Sequence, residues 1–274
     1  TSYFLEKVCS FSEIKNELFN KWKNFLSEVS DDLSPNNCVD KLDITGYSNP
    51  HKFIFELYSH LNNDDLVVVD GGGCALYAGF QCLPKKANFK VICSTAISAM
   101  GTGLPELVGV STKGTHKRYF CIIGDGSLMF NLQELQTLKT NSPSCLIIVI
   151  NNNGYLAIRH TQSQFLGSRY YGTSPFNDGL QIPKISDIAK TFNYEYLRLD
   201  ETSDFNSILK QGLGHDQHTI IEIFASPSHS NLFSASFTDN KDGTFSPNDI
   251  HQMIPFDNYD YVSKALKHRV NLEK

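Results

Sequence analysis

Six short apolar runs, separated by segments with helical periodicity, constrain the fold of this chain more than any other feature. The runs span residues 66–69, 89–93, 119–123, 145–150, 196–199 and 219–224. Helix-like segments lie between them, for example at residues 131–139, 185–192 and 205–212. Continuous apolar strands that alternate with helices are typical of a parallel sheet covered on both faces. We therefore predict an α/β fold, a doubly wound six-stranded parallel sheet with helices on both faces.

The composition fits one large core and excludes several classes of protein. Of the 274 residues, 41% are apolar and 19% are charged, as is usual for a globular protein. The formal net charge of −5 gives no reason to expect nucleic acid or an acidic membrane as a partner, and no apolar run is long enough to span a bilayer. The first residues lack the basic-then-apolar pattern of a signal peptide.

Seven cysteines are scattered along the chain, and none forms a CxxC pair. They are Cys9, Cys38, Cys74, Cys82, Cys93, Cys121 and Cys145. Several lie in or beside apolar runs, where a thiol behaves as a small apolar side chain. An odd number of cysteines in core segments argues for reduced thiols and a cytoplasmic location. The absence of paired ligand spacing argues against a zinc site.

Two helices are predicted ahead of the first strand. Residues 11–29 follow a capping box that opens at Ser10, and their apolar side chains fall on one face. The polar residues 30–37 are predicted to form a linker. The second helix begins at Asn49 and Pro50, with Asn as the N-cap and Pro in the first turn.

Four loops of unusual composition directly follow predicted strands, at residues 71–73, 94–100, 124–127 and 151–155. Ligands of open parallel sheets bind beyond the carboxyl ends of the strands, so these loops form the candidate site. Asp125 and Asn152, 27 residues apart, are expected at the same end of two strands joined by one crossover. A carboxylate and an amide oxygen suit Mg²⁺, which shares its shell with phosphate oxygens. The glycines on either side of Asp125 let a diphosphate approach the backbone.

Other interpretations of these motifs stay open. Residues 124–127 and 151–154 could each be an ordinary turn, although their joint spacing argues against this. Residues 238–249 faintly resemble a calcium loop but lack the acid at the first position. A phosphatase with an aspartyl nucleophile needs a DxD after the first strand, where this chain has two glycines after Asp70. His160 is interpreted as a solvated helix residue, with contact to substrate as the alternative.

The whole pattern resembles the signature of thiamine diphosphate (ThDP) enzymes, a GDG followed by NN. The matching residues are Gly124-Asp125-Gly126-Ser127 and Asn151-Asn152. From about residue 49 to residue 255 the chain resembles the C-terminal domain of the superfamily of acetolactate synthase, pyruvate decarboxylase and benzoylformate decarboxylase. It is most similar to acetolactate synthases. Those matches are Asn131-Leu132-Gln133-Glu134-Leu135, the AMGTGLP run from Ala99 to Pro105, and the late residues Asp242-Gly243, Asp249-Ile250 and Pro255.

The resemblance implies a role for each matching residue. Asp125 and Asn152 would bind Mg²⁺ through side-chain oxygens, and Gly154 through its backbone carbonyl. Met100 would be the apolar wedge that holds the cofactor bent before reaction. The implied cofactor-binding residues are Gly73, Cys74, Ser98, Met100, Gly124, Gly126, Ser127 and Tyr155, of which Ser98 and Met100 would hold the aminopyrimidine ring through their backbones. The family's Gln-His pair is absent at Gly73 and Cys74, so donors from that loop must come from the backbone or be missing.

The resemblance also implies that the site is incomplete within this chain. The Glu that protonates the pyrimidine ring comes, in the family, from a pyrimidine-binding domain of the same or a partner chain, so no catalytic residue is expected here. Residues 1–45 are interpreted as the end of a preceding central domain plus a linker, residues 46–226 as the ThDP diphosphate-binding domain, and residues 227–274 as a C-terminal tail that could fold as a lid. We expect the protein to form a homodimer or homotetramer, and we expect this chain to be a portion of a longer polypeptide.

The implied activity is ThDP- and Mg²⁺-dependent decarboxylation of a 2-keto acid with carboligation, as in acetolactate synthase, a transferase and lyase. Pyruvate is the expected small-molecule substrate, and the cofactor supplies the electron sink for decarboxylation. The alternatives are a non-oxidative 2-keto acid decarboxylase and a non-catalytic regulatory domain of the same fold. The acceptor and the presence of FAD are not decided by the sequence, because specificity depends on the pocket and not on the fold.

Overall fold

The computed structural model describes two compact units of the chain. Its described residues are 16–32, 34, 44–175, 179–214, 216–229, 234–235, 237–248 and 253–254. One unit comprises Val39–Asn231, and the other comprises Thr1–Cys38 with Leu232–Lys274. In the second unit, α1 spans Asn16–Asp32, which agrees with the predicted helix over residues 16–29; the predicted residues 11–15 lie outside the described residues.

The larger unit is built on a six-stranded sheet in which every neighbouring pair is parallel. Its strands are β1 (Asp65–Val69), β2 (Lys90–Ile92), β3 (Arg118–Gly124), β4 (Cys145–Asn151), β5 (Glu195–Leu199) and β6 (Thr219–Phe224). The strand order is β2-β1-β3-β4-β6-β5. All six predicted strands are therefore confirmed, with bounds that differ by a residue or so. The α/β prediction of a six-stranded parallel sheet is confirmed.

Helices connect the strands and cover both faces of the sheet. They are α2 (Pro50–Ser59), α3 (Gly73–Gln81), α4 (Gly103–Ser111), α5 (Asp125–Leu128), α6 (Glu134–Asn141), α7 (Leu156–Phe165), α8 (Ile185–Thr191) and α9 (Phe205–Gly214). A 3₁₀ turn, Met129–Asn131, lies between α5 and α6, so the helix predicted at residues 131–139 begins later than expected. Helix α2 starts as predicted, because the Asn49 side chain accepts a hydrogen bond from the Lys52 amide at 3.3 Å.

Alternate strand residues point into two separate apolar cores. On one face, Val67, Phe120 and Ile148 pack with side chains of α2, α3 and α9. On the other face, Val68 and Cys121 pack with side chains of α4, α6 and α8. Strands buried on both faces explain why the sequence shows continuous apolar runs and no alternation with polar residues.

The direction of the chain connections places the site. From β1 the chain continues to β2 on one side, whereas from β3 it continues to β4 on the other side. This reversal leaves a crevice between the carboxyl ends of β1 and β3, where ligands of such sheets bind. The loops at this point are residues 71–73 and 124–127.

The second unit contains two short antiparallel strand pairs. Strand β7 (Ser234–Ala235) pairs with β10 (Met253–Ile254), and β8 (Phe237–Asp239) pairs with β9 (Phe245–Pro247). The β8–β9 hairpin contains part of the segment weighed as a calcium loop. Within it, the Lys241 and Thr244 amides donate to the Asp239 and Asp242 carboxylates. The end of that segment, Asp249, lies outside the described residues, so the calcium-loop alternative stays untested.

None of the helices among the described residues combines the length and the apolar character that crossing a membrane requires.

Candidate functional site

A cleft of about 350 Å³, partly open to solvent, lies at the carboxyl end of the sheet. It is lined by the loops that follow β1, β3 and β4 and by Met100 from the loop after β2. Its lining residues are Gly72, Gly73, Cys74, Ala75, Met100, Gly124, Asp125, Gly126, Ser127, Asn152, Gly154, Tyr155, Leu156, Ala157 and Ile158. The structure thus brings together all the predicted cofactor and metal residues except Ser98. Ser98 is exposed and does not line the cleft.

Three glycines allow the loops to approach one another closely. A Cβ added at Gly126 would lie 2.6 Å from the ring of Tyr155, and one added at Gly71 would lie 2.5 Å from the carbonyl of Ala99. A Cβ at Gly72 would collide with the Ser127 hydroxyl. Any larger side chain at these positions would push the loops apart, so the glycines set the shape of the cleft.

Asp125 is the most unusual polar residue of the site. Its side chain is buried, and its Oδ2 accepts a hydrogen bond from the Gly154 amide at 2.8 Å. Its Oδ1 is buried and has no hydrogen-bond partner. Burial raises the pKa of this carboxyl to about 6, although the amides of Gly154 and Gly126 oppose the shift. A buried carboxylate oxygen without a partner is costly unless a cation or donor fills the space beside it.

The asparagine-rich loop divides its side chains between the sheet and the cleft. Asn151 Nδ2 donates to the buried Glu222 at 2.6 Å, which ties β4 to β6. Asn152 faces the cleft and is buried. Asn153 and Gly154 adopt φ values of 65° and 123°, and this left-handed backbone turns the Gly154 amide toward Asp125.

Arg159 holds the asparagine-rich loop in place through hydrogen bonds, and the sequence analysis did not predict this role. Its buried guanidinium donates to the carbonyls of Asn152 at 2.7 Å, Thr173 at 2.8 Å and Asn153 at 3.1 Å, and to that of Pro227 at 3.0 Å. A basic residue in the first turns of a helix is usually solvated, so its burial depends on tertiary contacts that periodicity cannot show. The neighbouring His160 is half-buried, and burial lowers its pKa; it is less exposed than the solvated residue we expected.

Cys74 occupies the floor of the cleft at the start of α3. Its thiol forms a hydrogen bond with the Asn152 side chain, and burial raises its pKa to about 12. The thiol is therefore protonated at neutral pH and poorly suited to act as a nucleophile. It serves here as a small, weakly polar surface next to the Asn152 amide.

The loop before α4 brings Met100 to the opposite wall of the cleft. Gly101 has a φ of 82°, and its carbonyl accepts a hydrogen bond from Asn131 Nδ2 at 2.8 Å. Ser98 also has a positive φ, 51°, which is uncommon for a residue other than glycine. This loop is therefore held in a defined and locally strained shape that presents Met100 to the cleft.

The polar groups that line the cleft suit the binding of a charged ligand. Among the described residues that line it, Asp125 is the one carboxylate, and the remaining polar groups are amide, hydroxyl, thiol and backbone groups. The unpartnered Asp125 Oδ1 and the Asn152 Oδ1, which accepts a long hydrogen bond of 3.5 Å from Arg159, are hard oxygen donors of the kind that Mg²⁺ accepts. Backbone amides between glycines provide room for a diphosphate. The donor set fits a metal–diphosphate group.

Comparison with known proteins agrees with this geometry. Residues 71–223, more than half of the chain, match the family described as thiamine pyrophosphate enzyme, C-terminal TPP binding domain. An acetolactate synthase of Arthrospira platensis is 29% identical over 60% of this chain and 28% of its own length. The probable acetolactate synthase large subunit of Methanococcus aeolicus is 22% identical, with shares of 65% and 30%.

The match to the acetolactate synthase isozyme 2 large subunit of Escherichia coli (strain K12) is closer but shorter. The two are 32% identical over 40% of this chain and 20% of that protein. The chain thus spans about a fifth to a third of the length of these curated relatives. The family model covers both signature segments, 124–127 and 151–155, together with strands β3 and β4, which lead into them. The chain therefore belongs to the family of C-terminal TPP-binding domains of thiamine pyrophosphate enzymes.

Proposed function

We propose that this chain holds the diphosphate and Mg²⁺ of ThDP and thereby supplies half of a 2-keto acid decarboxylating site of the acetolactate synthase kind. The observation that carries the proposal is Asp125. Its Oδ1 is buried without a partner at the cleft, while Oδ2 is held by the Gly154 amide. A divalent cation beside Oδ1 would offset the desolvation of this carboxylate.

In this proposal each wall of the cleft has a separate task. Asp125, Asn152 and the Gly154 carbonyl bind Mg²⁺. The diphosphate is lined by Gly73, Cys74, Gly124, Gly126, Ser127 and Tyr155. The aminopyrimidine end is held by Met100, whereas Ser98, which was expected to share this task, does not line the cleft. When bound, ThDP supplies the electron sink for loss of CO₂. The chain's own residues bind and orient it and exclude water from it.

We further propose that a pyrimidine-binding domain of the same or a partner chain completes the site. The one carboxylate of the described cleft lining is already assigned to the metal, so an activating Glu must come from elsewhere. Large apolar side chains at the cleft and on the neighbouring loops support this, since Ile97 is 82% exposed, Phe130 57% and Ile158 44%. Exposed apolar groups grouped in this way are typical of an interface. The assembly is proposed to be a homodimer or homotetramer in the cytoplasm.

The proposed parent reaction is decarboxylation of pyruvate followed by carboligation of the resulting two-carbon unit. Several of the relatives are acetolactate synthases, which supports this reaction over simple decarboxylation. In the same proposal, residues 1–45 end a central domain, residues 46–226 form the ThDP-binding domain and residues 227–274 form a C-terminal tail.

The cofactor proposal is tested by titrating the full-length protein with ThDP and Mg²⁺ while its melting temperature is measured. Binding to the folded state should raise the melting temperature as the ligand concentration rises. At a hundredfold excess over Kd, binding adds about 2.7 kcal/mol to the free energy of unfolding. Asp125→Ala should abolish the response. Thr238→Ala, in the exposed hairpin of the second unit, is the control and should respond as the wild type does. No response in the wild type, or an undiminished response in Asp125→Ala, would contradict the proposal.

Product analysis separates the reactions. With pyruvate and both cofactors, the full-length protein should give a carbon–carbon coupled product. Acetaldehyde as the sole product would instead indicate a simple decarboxylase. No consumption of any 2-keto acid, with cofactor binding intact, would indicate a regulatory domain.

A further inference from the structure

A buried carboxylate outside the cleft joins two of its walls. Asp70 directly follows β1 and is fully buried. Its Oδ2 accepts a hydrogen bond from the Gly72 amide at 2.7 Å, and its Oδ1 accepts one from the Gly103 amide at 2.9 Å. Its own amide donates to the Ile122 carbonyl at 2.9 Å, which fixes Asp70 to the end of β3. Both carboxylate oxygens are thus used, one for each loop.

The two loops that Asp70 joins face different parts of the cleft. Gly72 lies against the Ser127 hydroxyl, on the wall with Asp125. Gly103 begins α4 and is three residues after Met100, which forms the other wall. Asp70 and Gly103 are 33 residues apart in sequence, and the chain between them includes α3 and β2, so no local hydrogen-bond pattern requires this contact.

We propose that Asp70 is a positioning residue that sets the distance between the diphosphate wall of the cleft and the wall formed by Met100. The inference rests on the proposed ThDP function. A ligand that spans both walls needs them at the right separation, whereas a ligand that occupies one wall does not. Hydrogen bonds from backbone amides to a fixed carboxylate are short and directional, so they hold this separation better than apolar contacts alone.

The tight packing around Asp70 supports this role. A Cβ added at Gly103 would lie 3.1 Å from Asp70 Cβ and 3.3 Å from its Oδ1, and one added at Gly72 would lie 2.8 Å from its Oδ2. Glycine at both positions is therefore what lets the carboxylate reach both amides. The sequence signal is an aspartate between a buried strand and a glycine run, which by itself predicts only a turn.

The test compares two probes, ThDP with Mg²⁺ and inorganic diphosphate with Mg²⁺, by calorimetry on the full-length protein. In Asp70→Asn the amide group can accept only one of the two hydrogen bonds and presents its own N–H to the other donor. We expect the Kd for ThDP to rise roughly tenfold. A loss of this size is usual when a residue that hydrogen-bonds to the ligands of a metal site is replaced. The Kd for inorganic diphosphate, which occupies one wall, should change by less than about twofold, a ratio that general destabilisation would not produce.

The matched control is Asp65→Asn at the other end of the same strand. Asp65 is also fully buried with both oxygens bonded, but it pairs with Arg118 far from the cleft. It should lower the melting temperature and leave both Kd values unchanged for the folded protein. Gly103→Ala is the second positional variant; it retains the carboxylate but crowds it, and it should weaken ThDP binding about threefold, less than Asp70→Asn does.

The outcomes separate this inference from the cofactor proposal. If the wild-type protein does not bind ThDP, the proposed function fails. If the wild type binds it and Asp70→Asn binds both probes as the wild type does, or weakens both equally, only the role of Asp70 is overturned. If Asp70→Asn does not melt cooperatively, Gly103→Ala decides: an unchanged ThDP to diphosphate affinity ratio overturns the inference.

Discussion

The two ends of the parallel sheet differ in where buried side-chain polar atoms are left without partners. At the amino end, both oxygens of Asp65 are bonded to the Arg118 guanidinium, at 2.7 and 2.6 Å, and Oδ2 also accepts from the Asn62 amide at 2.8 Å. At the carboxyl end lie the three buried polar atoms without partners among the described residues. They belong to Glu106, Asp125 and His229.

This difference shows which end of the sheet serves stability and which serves binding. A folded chain gains nothing from an orphaned buried oxygen, so such groups are retained where a ligand uses them or where the backbone is constrained for a function. The amino end, by contrast, has a satisfied ion pair that can be altered without affecting the cleft.

The largest expected effect is at the amino end. Asp65→Ala leaves Arg118 without its carboxylate partner and the Asn62 amide without its acceptor. The Arg118 side chain is 28% exposed and can be partly solvated, so we expect a loss of about 3 kcal/mol in the free energy of unfolding, the lower end of the cost of breaking a buried pair. Urea denaturation measures this loss. A loss below about 1 kcal/mol would mean that the two ends do not differ in the way described.

Acid should act mainly on the carboxyl end, through a pair of buried histidines. His51 Nδ1 and His229 Nε2 are 3.1 Å apart, and His51 Nε2 lies 3.1 Å from the side-chain oxygen Oε1 of Gln81. Burial lowers the pKa of His51 to about 4. Burial, together with the neighbouring His51 and His160, lowers the pKa of His229 to about 3. Both rings are neutral in the folded protein at neutral pH.

The sign of the pH effect follows from these shifts. Both pKa values are lower in the folded chain than the usual 6.5, so the unfolded chain binds more protons between pH 6.5 and pH 4. The contribution of the two neutral rings to the stability is therefore complete above pH 6.5 and is lost as the pH falls. For His51 alone, the loss in the free energy of unfolding is about 3 kcal/mol at pH 4. Unfolding free energies at pH 7, 6 and 5 should show a smaller slope in His51→Gln. An equal slope in both proteins would contradict this assignment.

Much of the fold and part of the site could be predicted from sequence. Strands such as β3 and β4 are buried on both faces, and continuous apolar runs record that burial directly. Asp125 and Asn152 were predictable because strand ends of a parallel sheet meet at one edge, so spacing along the chain becomes proximity in space. The family match confirms that the chain is a ThDP-enzyme domain.

Other parts of the site depend on contacts that no local pattern contains. Arg159 and Asp70 are charged residues beside loops, and a single sequence cannot show whether such a residue is solvated or buried against carbonyls and amides. Ser98 follows a strand like its neighbours, yet the backbone turns it outward. These positions are set by the packing of distant segments, and burial is the property that periodicity gives least reliably for charged and loop residues.

The smallest expected effect is that of Asp→Asn substitution on the free energy of unfolding, and it should have opposite signs at Asp125 and Asp65. Asp125→Asn removes a buried carboxyl whose pKa, about 6, is above the usual 3.8, so ionising it in the folded protein costs stability as the pH rises through 6. Without cofactors at pH 7.5, Asp125→Asn should therefore stabilise the protein by about 1–2 kcal/mol, less than the full shift implies because the hydrogen bond from the Gly154 amide to a charged acceptor is weakened.

The same substitution at Asp65 should destabilise the protein, because there it removes a satisfied charge. Urea denaturation of both variants at pH 7.5, with and without ThDP and Mg²⁺, completes the comparison. The cofactors should stabilise the wild type and Asp65→Asn but not Asp125→Asn, so the order of stability of Asp125→Asn and the wild type reverses once ligand is present. A loss of stability in Asp125→Asn without ligand would mean that Asp125 is a structural carboxylate like Asp65, and the unpartnered oxygen would then no longer mark a binding site.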